Sequence, residues 1–195
     1  MAEDIRVLGL CGSLRVASYN HFALEAAAQS MPAGMAMQRG SFARIPIYNA
    51  DEQAAGWPDQ VLTLGEQVRA ADAVLICSPE YNFSVPGGLK NALDWLSRLP
   101  NQPFRGKPVA IMGAATGPVG TARMQYDLRK ILHFLEANVL LKPEVFIAGA
   151  QAKFDAQGVL IDETTRGFIS DQMRALRDWT LRCRALDGLG TLAGQ

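Results

Sequence analysis

Long apolar runs are missing from these 195 residues. None approaches the ~20 consecutive apolar positions that a membrane-spanning helix requires. The opening Met1-Ala2-Glu3-Asp4 lacks the basic-then-apolar order of a secretion leader. A cytoplasmic protein with no membrane partner is expected. Cysteine is scarce: Cys11, Cys77 and Cys183 are odd in number and carry no metal-type spacing. This excludes a disulfide scaffold and suits thiols in a reducing compartment. His21 and His133 are too few and too far apart in sequence for a metal cluster, so no metal is expected. Charge of one sign is absent too, because Lys+Arg and Asp+Glu both number 19 and no basic run interrupts the balance. Nucleic acid is therefore not an expected partner. Neither G-x-x-x-x-G-K-[ST] nor G-x-G-x-x-G occurs, which argues against a P-loop nucleoside triphosphatase and a two-glycine-rich dehydrogenase. Internal repeats and low-complexity blocks are missing as well.

What is present is alternation. Candidate strands lie over Ile5–Cys11, Met35–Arg39, Ala73–Cys77, Val109–Ala114 and Val145–Ala148. Helical spacing predicts Ser18–Ser30, Asp59–Ala70, Gly87–Arg98, Thr121–Ala137 and Thr165–Ala185. Val61, Leu64 and Val68, and Leu128, Ile131, Leu132 and Leu135, mark inward stripes. Strand–helix repetition of this kind gives an α/β fold, a five-stranded parallel sheet with helices on both faces. At 195 residues and 49% hydrophobic, the chain has the size of a single domain, residues 1–195. The small, uncharged tail 188–195 is expected to fray, and Ile47 to Trp57 reads as an irregular connection.

Two loops carry the chemistry. Gly12-Ser13-Leu14-Arg15-Val16-Ala17-Ser18-Tyr19-Asn20 follows the first strand and opens an alanine-rich helix. Hydroxyls, one arginine and the free N–H groups of a helix N-terminus make a phosphate site. Capping accounts for Ser18 or Asn20, but not for Ser13, Arg15, Ser18 and Asn20 together. A cysteine-nucleophile phosphatase loop does not fit, since three residues separate Cys11 from Arg15. The other loop, Ser78-Pro79-Glu80-Tyr81-Asn82-Phe83-Ser84-Val85-Pro86-Gly87-Gly88, lies between a buried strand and the helix marked by Leu89, Leu93 and Leu96. Loops at the carboxyl ends of parallel strands are where such sheets bind ligands.

Together, G-S-L-R-x-x-S-x-N and S-P-E-Y-N-x-S-x-P-G-G-L-K-N-A-x-D-W-L-S-R-L-P resemble the NAD(P)H-dependent FMN reductases of flavodoxin-like fold. The similarity runs from about Val7 to Phe146 and is strongest to soluble bacterial quinone, chromate and azo-dye reductases. It implies FMN as cofactor, NADPH or NADH as co-substrate, and the strand order 2-1-3-4-5. It also implies that Ser13, Arg15, Ser18 and Asn20, with Leu14 and Tyr19 beside them, surround the FMN phosphate. Pro79, Glu80, Tyr81, Asn82 and Phe83 would border the ring, largely through backbone. In the third loop, Gly113 to Gly120, Ala115 stands where relatives often carry serine, so a backbone N–H contact is the one expected there.

The implied activity is reduction of quinones, and of chromate or azo compounds, by ping-pong transfer through flavin N5, with no catalytic side chain. Alternatives are a reductase that hands reduced FMN to an oxygenase, and a non-enzymatic electron carrier. The neutral net charge argues against the carrier. Lys90 and Asp94, one helical turn apart, read as an ion pair before a proton relay. The resemblance further implies a homodimer or homotetramer. Arg123, Tyr126 and Glu144 are either an interface trio or solvated surface, and Trp57 either lies near the flavin or packs.

Overall fold

The computed structural model describes the backbone of residues 4–192 and the side chains up to Leu186. Strands β1 (Ile5–Cys11), β2 (Met35–Gly40), β3 (Ala73–Cys77) and β4 (Pro108–Ala114) are parallel, and a fifth position is filled by two short pieces, β5 (Asn138–Val139) and β6 (Val145–Ile147). The order is β2-β1-β3-β4-β5, with β6 also on β4. This is the doubly wound, flavodoxin-like order. Helices α1 (Tyr19–Gln29), α2 (Ala50–Ala55), α3 (Asp59–Ala70), α4 (Gly87–Leu96), α5 (Ala122–Phe134) and α6 (Glu163–Leu192) complete the chain with a short 3₁₀ turn at Ala150–Ala152.

Side chains alternate across the sheet with period two, which creates two cores. Leu8, Leu10, Val74, Ile76, Val109 and Ile111 point to the face covered by α3, α4 and α5, around Trp95 and Phe104. Val7, Cys11, Leu75, Cys77, Ala110 and Met112 point to the other, covered by α1 and α6. Strands β3 and β4 are buried at every position, as central strands sandwiched between helices must be. Edge strand β2 has no buried residue, and Ala36, Gln38 and Arg39 are exposed. Truncating a residue such as Ile76, which is fully buried, costs about 2–5 kcal/mol.

Three departures from the sequence reading have physical causes. The fifth strand is broken, because the chain leaves the sheet after Leu140, whose N–H donates to Val109 O at 2.8 Å, and rejoins it at Val145. Glutamines from the flanking helices fill the missing donor positions: Gln172 Nε2 donates to Ile111 O at 3.0 Å and Pro143 O at 2.9 Å, and Gln125 Nε2 to Val145 O at 2.9 Å. A two-residue β5 carries too little pattern to be seen by alternation. The Ile47–Trp57 connection contains α2, capped by Asn49, whose Oδ1 accepts from Asp51 N at 2.9 Å. No residue of α2 is buried, so it has no apolar stripe to betray it. The last helix starts at Glu163 and its backbone stays helical through Leu192, where fraying from Gly188 is predicted; residues 193–195 lie outside the described residues.

Candidate functional site

The carboxyl ends of β1, β3 and β4 converge on Ser78, which is fully buried. Gly12 N donates to Cys77 O at 2.8 Å and Ser78 N to Met112 O at 3.1 Å. The approach is close enough to demand glycine on both sides. A Cβ on Gly12 would lie 2.1 Å from Ser78 Oγ, and one on Gly113 would lie 2.2 Å from both Ser78 O and Thr121 Oγ1. The three loops that follow these strands are therefore drawn to one point at the edge of the sheet.

In the first loop, Ser13 and Ser18 are buried hydroxyls. Ser18 is the N-cap of α1, its Oγ accepting from Asn20 N at 3.2 Å, and Ser13 Oγ accepts from Arg15 N at 3.3 Å. Arg15 is exposed and turns a guanidinium N–H back to Ala17 O. Leu14 and Val16 are exposed apolar residues at the rim. Tyr19 turns into an aromatic group, with ring centroids 6.1 Å from Phe22 and 5.9 Å from Phe154.

Asn20 corrects the sequence reading. Its side chain does not reach into the loop: Nδ2 donates to Ala114 O at 2.9 Å and Oδ1 accepts from Ala114 N at 2.8 Å. It fastens α1 to the end of β4. The third loop needs a correction as well. Ala115 N donates to Ile147 O at 2.9 Å, prolonging the β4–β6 ladder, so the N–H expected to contact a ligand is already engaged.

The second loop is a tight hairpin. Tyr81 and Ser84 exchange both backbone hydrogen bonds at 3.0 Å, and the two residues between them, Asn82 (φ 49°) and Phe83 (φ 68°), are left-handed. Positive φ at both central positions is the primed turn that glycine normally fills, and a phenylalanine there is strained. Two straps hold it to α5. Ser84 Oγ donates to Asp127 Oδ2 at 2.8 Å, and the Arg123 guanidinium lies 3.7 Å above the Phe83 ring centroid. Arg123 Nε also donates to Glu80 Oε1 at 2.6 Å, while Glu80 Oε2 accepts from Met124 N at 3.1 Å. The Glu80 carboxylate, 6% exposed, thus caps α5 from outside. Pro79 is buried, whereas Tyr81, Asn82 and Phe83 are exposed. Sequence reasoning missed Arg123 and Asp127 as partners of this loop, because the 43 residues separating each pair carry no local signal.

The electrostatics of the helix starts sort by location. Helices α2, α3 and α6 carry acidic residues in the first turn, whereas α1, α4 and α5 carry none. The last three begin at the converging loops. α1 and α4 thus leave the positive ends of their dipoles for an external anion, while Glu80 serves α5. Burial pushes the Cys11 thiol up to about 11 and Cys77 well above its ordinary value, so neither is a thiolate at neutral pH. Lys90 holds both oxygens of Asp94 at 2.7 and 2.8 Å on α4, an exposed i,i+4 pair. Glu144 is engaged within the chain by Lys142, Tyr126 and Arg129, which hold its carboxyl below the usual range; Arg123, with its guanidinium on Glu80, does not join them. Trp57 packs, 6.2 Å from the Trp95 ring. Among the described residues, no three His, Cys, Asp or Glu side chains come together as a metal-binding group, and no helix is long and apolar enough to cross a membrane.

This arrangement has close parallels. The chain is 52% identical over 184 residues, 94% of its length, to the whole of an NAD(P)H-dependent FMN reductase of Pseudomonas aeruginosa. It is 46% identical over 187 residues, again 94% of its length, to the whole of a quinone reductase of Escherichia coli K12. Among solved structures, the flavoenzyme NAD(P)H:(acceptor) oxidoreductase from Paracoccus denitrificans superposes with a TM-score of 0.84 at 32% identity, covering 91% of this chain and 98% of its own. The model of NADPH-dependent FMN reductases matches residues 5–152, which contain all three converging loops, and the chain belongs to that family.

Proposed function

We propose that this chain is an FMN-dependent NAD(P)H oxidoreductase that delivers electrons to quinones. The observation that carries the reading is the α1 N-terminus. Its first turn has no acidic residue, two buried hydroxyls and an arginine stand before it, and two other loops are held against it. Such a cradle fits a phosphate ester whose attached ring extends toward the neighbouring loop.

In this reading, the N–H groups of α1, with Ser13, Ser18 and Arg15, hold the FMN phosphate, and Leu14 and Tyr19 flank it. Pro79, Glu80, Tyr81, Asn82 and Phe83 border the ring, with Glu80 acting through the conformation it imposes. The bound flavin supplies hydride acceptance from the nicotinamide and return of the electrons to the acceptor. The protein's part is to anchor and orient: left-handed Asn82 and Phe83 present backbone and the Tyr81 and Phe83 rings at the site edge, and the Glu80–Arg123 pair fixes that edge to α5. No side-chain acid or base is assigned. Exposed apolar residues at the rim, including Leu14, Phe83 and Val119, suit flat, conjugated acceptors such as quinones. Chromate and azo compounds are further acceptors in this proposal, since an open edge discriminates weakly.

The reading extends to the whole chain as one domain, working in the cytoplasm where nicotinamide cofactors are supplied. We also infer that it self-associates as a homodimer or homotetramer. The exposed Tyr126 and Phe134 of α5 and the neighbouring Leu141 support this inference. Light scattering of a fully active monomer would remove it. The enzymatic reading is tested by steady-state oxidation of NADH and NADPH with a soluble benzoquinone after loading with FMN. Sustained turnover that needs both FMN and quinone is expected, and a protein that stays FMN-loaded without oxidising either nucleotide contradicts the reading.

A further inference from the structure

The end of the sheet remote from the converging loops carries a second concentration of charge. There, around the amino ends of β1, β3 and β4, lies a cavity of about 290 Å³ walled by Arg6, Arg69, Arg105, Lys107 and Arg184, with Asp72 as its acidic residue. Asp72 lies between two of the cations: Arg6 N donates to Oδ2 at 2.7 Å, Arg6 Nε is 3.7 Å away, and Arg184 reaches Oδ1 at 2.9 Å. Outside the cavity, Glu66 pairs with Arg69 at 2.6 Å and Glu136 with Arg105 at 2.8 Å. Arg6 and Arg184 thus share Asp72, while Arg69 and Arg105 each hold a carboxylate outside the cavity.

Lys107 adds a fifth cation to this wall. Its Nζ donates to the carbonyls of Arg69 and Ala71 at the end of α3, and among the described residues it has no carboxylate partner. Desolvation by its partial burial pulls its pKa down, Asp72 raises it and Arg6 lowers it further. A neighbouring anion would favour its charged form. Five cations that converge on a recess, four of them planar guanidinium forks, match the several oxygens of a phosphate group better than a single carboxylate. The volume is several times the ~30 Å³ share of one water, so a diphosphate fits with its hydration.

We propose that this cavity binds a small multivalent oxyanion of the phosphate or diphosphate type, held by Arg6, Arg105 and Lys107. The site is separate from the cofactor loops by the length of β3, five residues or roughly 16 Å. A ligand there bridges β1, the α3 terminus, the start of β4 and α6. Its occupancy therefore ties together segments distant in sequence without touching the flavin end.

The test uses protein first loaded with FMN, so that the α1 N-terminus is filled, and titrates inorganic pyrophosphate, adenosine diphosphate and sodium chloride at matched ionic strength. Backbone amide shifts and thermal melting are followed. Saturable shifts at Arg6, Asp72 and Lys107 with a rise in Tm are expected for pyrophosphate and not for chloride. An equal response to adenosine diphosphate assigns the site to nucleotide diphosphates, and its absence assigns it to the inorganic anion. Arg6→Gln and Arg105→Gln, both at exposed positions, are each expected to weaken binding about tenfold. Shifts that follow ionic strength alone, that persist in the double variant, or that fall only on Ser13–Asn20 overturn the proposal. If FMN fails to load, the cofactor reading fails, and the same titration of the unloaded protein still decides this one.

Discussion

Asn20 and Ala114 are 94 residues apart and meet like partners in a ladder, the asparagine amide answering both the N–H and the C=O of the alanine. Asn20 also accepts a contact from Cys77 Sγ at 3.6 Å, so one side chain on α1 ties together the ends of β3 and β4. The first loop and the loops after β3 and β4 consequently share one rigid reference point before any ligand arrives. Preorganisation of this kind removes ordering cost from binding.

Asn20→Ala is expected to destabilise the fold by about 2–4 kcal/mol, because it strands two buried backbone groups at ~1–3 kcal/mol each. Asn20→Asp keeps the acceptor, loses the donor and adds negative charge at the α1 N-terminus. FMN binding is therefore expected to fall further in Asn20→Asp than in Asn20→Ala. Thermal melts paired with FMN titrations check the order, and an Asn20→Ala protein with wild-type Tm contradicts the strap.

Arg15 is the cation in the first loop, and its guanidinium is exposed. Arg15→Ala is expected to weaken FMN roughly ten- to a hundredfold, the value of a charge-assisted hydrogen bond of ~1.5–3 kcal/mol. Riboflavin, lacking the phosphate, is expected to be nearly indifferent. Equal losses for both ligands in fluorescence titrations move Arg15 away from the phosphate.

The hairpin at Tyr81–Ser84 makes a contrast between two substitutions at one residue. Asn82→Gly accepts φ 49° without strain and is expected to leave flavin affinity within about threefold. Asn82→Pro fixes φ near −65° and reverses the turn, so flavin binding or turnover is expected to collapse in a protein that still folds. Matching flavin affinities and rates for the two variants would separate this loop from the site.

Burial, and then the charge of Arg39, lower the pKa of His21, while a hydrogen bond to the Ser13 backbone raises it. A depressed histidine pKa means that the unfolded chain takes up a proton first as pH falls below about 6.5, so stability is lost on acidification. Melts between pH 7.5 and 5.5 are expected to show a decline that is smaller in His21→Gln. An identical decline assigns the loss to other groups.

The sequence reading located the fold well where burial imposes a pattern. β3 and β4 are apolar at every position and α3 has the bounds its stripe predicts, because helices on both faces leave no room for polar residues. The broken fifth strand was invisible for the opposite reason: its gap is filled by Gln125 and Gln172, side chains from helices whose spacing says nothing of their targets. At the candidate site, the placement of the loops after their strands was legible but side-chain directions were not. Ser13 and Ser18 lie buried in the loop, yet Asn20 points into the sheet, and the support that Arg123 and Asp127 give to the hairpin depends on packing between α5 and the second loop.

Titration of the purified, flavin-stripped protein with FMN, followed by visible absorption and gel filtration, decides whether the loops around Ser78 hold FMN. A saturable change in the flavin bands and co-elution of about one FMN per chain are expected. A protein that remains colourless after incubation with excess FMN contradicts that binding.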